Sequence, residues 1–479
     1  MNDLTKYFLL GAVVLILSAC DSFLDESPKY NLTKEHAVTD YTSAQNIVNG
    51  IYSKFTGKYI GGEIMGRLSS QAGIWAYDQL EAYYAMAYRQ GSNDGTDIWL
   101  QLYTIVNAAN AAIEGISGVE NSKFPTVEDK NRLVAEARCV RAFAYTQIFW
   151  LWSHWWEKAD SPYGLVYRSE VSDLSNLIKT RLSVGDSYAR IIEDLKYAET
   201  HLNDFKSSRY ASRQLAQVTH AKLLLYRGWE GDYAEALALV QNVKTHAPAS
   251  FALETDLAKM YQDSWDSKEV LFARYLGDLS NITQNEFYYS YGLYYQTELY
   301  PDPQSWVKND PRYPIITAGT VRTPEAWDAS FKTGVYTKLY RSGRYAGPND
   351  KYATYYFRYP ELYLLESELK FRLNPSDIAA ALAPINEMRS KYTNPALPPL
   401  TASNQTELSD LIFKEIVVTL FLENGSEWFA SLRFLKDGKP WLHTLKPDVS
   451  ISSDKYCWPI PDAEIINQEH NVIQNPSLE

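Results

Sequence analysis

Cysteine is scarce in this chain, with three among 479 residues. That excludes a disulfide-stapled scaffold. The internal pair, Cys139 and Cys457, shows no spacing that suggests a bridge, so both read as small buried apolar residues. Basic residues are outnumbered, 46 Lys and Arg against 58 Asp and Glu, for a net charge of −12. A chain of that sign has little with which to neutralise phosphates, which argues against nucleic acid or an anionic membrane surface as a partner. Beyond the first twenty residues no apolar run is long enough for a membrane-spanning helix. Catalytic motifs are missing too: there is no GxSxG, no Walker loop and no HExxH, and the seven His residues are scattered. His154 and His220 fall inside helical patterns and read as scaffold residues. No cofactor or metal site is expected. The acidic pairs Asp78 with Glu81 and Asp94 with Asp97 leave open an all-helical glycoside hydrolase working through paired carboxylates, although such pairs are common on solvated helix faces.

The one long apolar run lies at the start. "YFLLGAVVLIL", Tyr7 to Leu17, is too short to span a bilayer and suits the core of a secretory signal. Ser18 and Ala19 then offer the small residues that a signal-peptidase pocket accepts. Leu17-Ser18-Ala19-Cys20 resembles a bacterial lipobox, in which the Cys sulfur takes a diacylglycerol and becomes the new N-terminus. Cys20 is therefore the expected lipidation site, and acyl chains the only expected membrane attachment. An ordinary signal peptide followed by an unrelated cysteine is the alternative.

Aromatics are abundant, with 37 Tyr and 13 Trp, more than a core requires. Many lie beside Gly, Asn and Asp in loop-like stretches. A ring with an apolar face and a polar edge suits a wet recognition surface.

Residues 1–19 read as the signal and 20–38 as an extended tether. Residues 39–264 carry helical periodicity: Asp40 or Thr42 caps a first helix bearing Ile47, Val48, Ile51 and Tyr52. From Glu128 a strong pattern places Ala137, Arg141, Tyr145 and Ile148 on one stripe and ends near Trp152 to Trp156. Asp186 opens another helix. In "QLAQVTHAKLLLYRGWEGDYAEALALVQNV" two helices break at Gly228 to Gly231, and "GDYAEAL" resembles the turn of a tetratricopeptide repeat. A second hairpin turns at Asn374-Pro375-Ser376, with Ser376 or Asp377 as cap. Residues 265–355 change character to a loop-rich aromatic insertion opened by a strand, "KEVLFARYL". Residues 356–479 hold the second hairpin and a Pro-broken, mostly extended C-terminal segment. The fold class is thus mainly α, a tetratricopeptide-like helical hairpin scaffold with an irregular insertion containing short strands.

Several segments in order resemble one family, the SusD/RagB outer-membrane lipoproteins of Bacteroidetes. They are "CDSFLDESP", "WLQLYTIVNAANAAIEGI", "LVAEARCVRAFAYTQIFWLW", "SYARIIEDLKYA", "KNDPRYP", "YFRYPELYLLESELKFRLN", "PINEMRSKY" and "WPIPDAEIINQEHNVIQNP". One stretch departs: where the family shows an Arg-rich, Glu-Gly-containing segment, this chain has "FKEIVVTLFLENGSEWFASLRF", with Glu423, Gly425 and Arg433 as stand-ins. The resemblance implies a non-enzymatic lipoprotein on the outer face of the outer membrane. Asp21, Asp25 and Glu26 would form its surface-export signal, and a TonB-dependent β-barrel transporter of the SusC type its partner. Its ligand would be an oligosaccharide or, in some members, a peptide. A protein-interaction scaffold is the further alternative.

Two aromatic stretches supply the candidate ligand residues. In "IWAYDQLEAYYAMAYRQGSND" the stripe Tyr77, Leu80 and Tyr84 reads as core. That leaves Trp75, Asp78, Tyr83 and Tyr88 turned elsewhere, followed by Asn93, Asp94 and Trp99. The insertion contributes Tyr289, Tyr291, Tyr294, Trp306 and Trp327. "FWLWSHWW" and the pair Arg138 and Arg141 read instead as core packing and internal salt bridges. The chemistry suits a glycan: a pyranose stacks its C–H face on a ring and offers its hydroxyls to a few amide, carboxylate or guanidinium partners.

Overall fold

The computed structural model describes residues 37–56, 64–74, 81–88, 95–277, 305–320, 339–342, 352–476 and 478. Cys20, Trp75, Asp78, Asn93, Asp94, Tyr289, Tyr291, Tyr294 and Trp327 lie outside them.

Helix α1 (Tyr41–Tyr52) starts where expected. The Asp40 carboxylate accepts from the Ser43 N–H at 2.8 Å and the Ser43 hydroxyl accepts from the Asp40 N–H at 3.0 Å, a capping box. Then come α2 (Ile64–Ala72), α3 (Thr96–Gly118), α4 (Val127–Trp152), α5 (Val184–His201), α6 (Arg213–Arg227) and α7 (Asp232–His246). Ser183, rather than Asp186, caps α5: its hydroxyl accepts from the Asp186 N–H at 3.0 Å. Nearly every side chain of α4 from Leu133 onward is buried, as in a helix surrounded by others. Its one deeply buried cation, Arg141, donates twice to Asp194 of α5 at 2.8 Å and to the Asn110 side chain of α3 at 2.8 Å. Arg138 reaches the same Asp194 at 2.6 Å. The arginine pair therefore clamps three helices, as the sequence suggested.

Helices α6 and α7 form the first hairpin, turned at Gly228 in the left-handed region (φ 62°). The second is α8 (Pro360–Leu373) with α9 (Ile378–Arg389), capped by Asp377. The hairpins are distant in sequence yet adjacent in space, because α7 packs on α8. Lys244 donates to Glu366 across that seam at 2.6 Å, and buried Lys222 pairs with Glu361. The helices α10 (Gln405–Thr419), α11 (Ser426–Arg433), α12 (Trp441–Leu445) and α13 (Asp462–Asn467) complete the scaffold. The Pro-broken C-terminal segment also holds one short helix, which Pro461 precedes and which carries Asp462 and Glu464 in its first turn.

Strands β1 (Val270–Gly277) and β4 (Tyr352–Arg358) pair antiparallel, with Ala273 opposite Tyr355, and so zip together the two ends of the insertion. Inside it, β2 (Thr317–Thr320) pairs with β3 (Leu339–Ser342). The zipped ends are fixed to the helices by one fully buried guanidinium. Arg358 pairs with Glu269, donates to Glu423 at 2.7 Å, to the Thr419 carbonyl at 2.8 Å and to the Tyr392 hydroxyl at 2.6 Å. A second cluster seats Arg312 between Asp310 (2.8 Å) and Glu415 (2.6 Å), with Arg389 on the same glutamate at 2.8 Å. Glu423, Gly425 and Arg433 are all committed to structure. Glu423 accepts from Arg358, Gly425 starts α11 at φ 65° against Leu68, and Arg433 donates to Glu368 at 2.8 Å. Cys139 and Cys457 are free and buried. Among the described residues no helix is long and apolar enough to cross a membrane.

Replacing Arg358 with Met leaves Glu269 and Glu423 buried without their cation. Removing one partner of such a cluster is costly, so Arg358→Met should lower unfolding stability by about 3–5 kcal/mol in chemical denaturation. A loss below about 1 kcal/mol would mean the network does not hold the insertion to the scaffold.

Candidate functional site

Tyr83 and Tyr88 do not turn outward. The helix that carries Tyr83 is a single turn, Glu81–Tyr84, and Met86 then reverses the backbone at φ 50°. A stripe computed for a longer helix therefore fails, and both rings fold under, 3% and 1% exposed. Trp99 in the first turn of α3 is buried as well. These three are not isolated. Tyr83 meets Trp458 edge-on at 5.6 Å, Trp458 meets Trp152 at 5.4 Å, and Trp152 meets Trp99 at 5.2 Å. Perpendicular contacts at such distances are the favoured geometry of aromatic pairs. The result is a continuous base of rings drawn from α3, α4, the Tyr83 turn and the C-terminal segment.

Polar groups fix this base. Gln71 of α2 accepts from the Trp458 indole N–H and donates to the Tyr88 hydroxyl, both at 2.9 Å. Arg67 donates to the Tyr83 hydroxyl at 2.7 Å and lies over the same ring at 5.1 Å. Asn475 donates to the carbonyls of Trp152 and Trp458, each at 2.9 Å. The buried Trp152 indole N–H has no acceptor among the described residues.

Segments 75–80 and 89–94, which carry Trp75, Asp78, Asn93 and Asp94, lie outside the described residues. Gly73 stands shortly before the first and Gly95 directly after the second, and both need glycine. At Gly73 (φ 73°) a Cβ would meet the Lys446 side chain at 2.6 Å. At Gly95 (φ 82°) it would stand 3.1 Å from Trp458 and 3.2 Å from Trp152. Lys446 itself is buried without a carboxylate partner among the described residues and donates to the Tyr84 carbonyl at 2.7 Å. Loss of hydration pushes its ammonium down to about 7.

Trp306 is half-buried and belongs to another aromatic group. It meets Phe413 at 6.2 Å, and Phe413 stacks on Trp441 at 4.5 Å. His154 and His220 pair with Glu157 and Glu199, each at 2.8 Å, as scaffold residues would. Of Asp78, Glu81, Asp94 and Asp97, the described Asp97 is exposed in the first turn of α3. Sequence reasoning did not single out Gln71, Arg67, Lys446 or the two glycines. Only the positive φ of the glycines leaves a trace in a sequence, as a glycine beside aromatic residues.

A layered scaffold of helical hairpins with tetratricopeptide-like packing encloses this aromatic base. Comparison with known proteins narrows the class. Residues 22–223 match a SusD-like family described as starch-binding and associating with the outer membrane, and residues 281–477 match the SusD/RagB family. The chain belongs to the SusD/RagB family, whose members are carbohydrate-binding proteins rather than enzymes. A "SusD-like protein" of Bacteroides ovatus is 25% identical over 233 residues, a match spanning 47% of this chain and 40% of that relative. A SusD superfamily protein from Bacteroides thetaiotaomicron superposes with a TM-score of 0.70 at 18% identity, covering 91% of this chain and all of that one. A laminarin-binding SusD-like protein superposes with a TM-score of 0.69 at 18% identity, covering 92% of this chain and all of that one. At such identities the likeness establishes the fold.

Lys446 generates a pH-dependent prediction. A lysine titrating near 7 in the folded chain and in its ordinary range when unfolded makes the unfolded state bind the extra proton between those values. Stability contributed by this site should therefore rise with pH from about 7 to about 10, and the full penalty applies below about 7. Lys446→Met should raise unfolding stability at pH 7 by about 2 kcal/mol or more, with the gain shrinking toward pH 10. Denaturant titrations across that range check it; a gain that is absent or independent of pH contradicts it.

Proposed function

We propose that this protein is a cell-surface lipoprotein that captures a neutral oligosaccharide and passes it to a TonB-dependent outer-membrane transporter of the SusC type. The observation that supports the binding reading is the aromatic base of Tyr83, Trp458, Trp152 and Trp99, whose members Tyr83 and Trp99 are close in the chain to segments 75–80 and 89–94. Buried rings cannot themselves stack on sugar, so the proposed platform is Trp75, with Asp78, Asn93 and Asp94 as hydroxyl partners. A single platform with sparse polar contacts gives modest affinity, which suits capture followed by release. Tyr289, Tyr291, Tyr294, Trp306 and Trp327 of the insertion are the further proposed ligand residues. Attachment is through acylated Cys20, which places the protein on the outer face of the outer membrane. Family membership supports this placement and the glycan as ligand class.

The test is migration of the full chain through native gels containing starch or laminarin, with Trp75→Ala and Asp78→Ala beside it. Retardation by one glucan, reduced about tenfold in affinity by Trp75→Ala and without release of reducing ends, is expected. Loss of a stacked ring should outweigh loss of one hydroxyl partner, so Asp78→Ala should have the smaller effect. No retardation by any glycan, with binding to a peptide array, would replace this reading with a peptide-binding one. Release of reducing ends would make the protein a hydrolase.

A further inference from the structure

A second site lies on the opposite stretch of α4. Between α1, the N-terminal half of α4 and the loop joining α5 to α6 is an open cleft of about 220 Å³. We infer that this cleft binds a single neutral sugar ring, as a glycan subsite separate from the aromatic base.

Its floor is preorganised. The Tyr52 hydroxyl of α1 donates to Glu136 of α4 at 2.7 Å and accepts from the Ala211 N–H at 2.9 Å, so the loop is tied to both helices. The Tyr210 ring stands edge-on to Tyr52, 5.2 Å away and 90° inclined, and remains 41% exposed at the cleft. It offers an aromatic surface with its orientation already set.

The polar lining is uncommitted where a ligand would need it. The exposed side chains of Asn49, Asn203 and Lys206 have no hydrogen-bond partner among the described residues. Two amides provide donors and acceptors together, as a sugar's vicinal hydroxyls require. Charge decides the ligand class: Arg132 and Lys206 are balanced by Glu136 and Asp204 around the same cleft. Neither an anion nor a cation gains from such a lining, whereas a neutral polyhydroxylated ring can use every group. Size sets the occupant: the volume falls below the roughly 300–1,000 Å³ of sites for drug-sized ligands, so one ring or a chain end fits.

The subsite is distinct from the aromatic base. Glu136 and Trp152 lie on one helix roughly 24 Å apart by the α-helical rise. A polysaccharide could touch both, and a short oligosaccharide could not.

Hydrogen exchange of the full chain with maltotriose or laminaritriose at millimolar concentration tests this. One of the probes should slow exchange over residues 203–211, an effect lost in Tyr210→Ala with Asn203→Ala and kept in Tyr210→Phe. Titration calorimetry should show affinity at this site falling about tenfold in the double variant. Trp75→Ala should leave the protection at 203–211 intact, which separates this inference from the reading of the aromatic base. Exchange at 203–211 unaltered by both probes, or altered equally in the wild type and the double variant, would overturn the subsite.

Discussion

The two ends of the insertion are fastened to the helices through Arg358. The residue ends β4, and its partners come from three places: Glu269 just before β1, Tyr392 just after α9, and Glu423 with the Thr419 carbonyl at the end of α10. One guanidinium thus joins both ends of the insertion to the C-terminal helices. The cluster need not contribute much net stability over an apolar replacement, because desolvating the charges is expensive. What it supplies is registry: four hydrogen bonds with fixed directions admit one arrangement of strand and helices. Arg141 does the same for α3, α4 and α5, and Arg312 for α10 and the short helices of the insertion. A long central helix apolar on all sides could slide or rotate among its neighbours; buried ion clusters remove that freedom.

The aromatic base is held separately, by its own polar contacts. Trp458 arrives from the far C-terminus and is held by its backbone N–H on the Leu151 carbonyl at 2.6 Å and by Gln71. The base is thus assembled from segments hundreds of residues apart.

The scaffold was largely legible in the sequence. Asp40 and Asp377 read as caps, Gly228 and Gly231 as a break, Arg138 and Arg141 as internal pairs, and Lys268–Leu276 as a strand, because each rests on local chemistry within a few residues. The site was less legible. Tyr83 and Tyr88 were placed outward from the phase of a helix that stops after one turn, and only the left-handed Met86, invisible to propensity, ends it. Trp458 could be quoted as part of a motif but not located, since its partners Gln71, Tyr83 and Trp152 are remote in sequence. The same holds for Lys446, whose burial under Tyr84 no spacing announces, and for the cleft at Tyr210, which exists only where two helices and a loop meet.

The central claim is that glycan binds at segments 75–80 and 89–94. A crystal structure of the full chain with a bound glucan oligosaccharide tests it most directly. The account predicts a sugar ring against Trp75, within hydrogen-bond reach of Asp78, Asn93 or Asp94, above an unmoved Tyr83–Trp458–Trp152 base. Saccharide bound only at other surfaces, with Trp75 free of contact, would contradict it.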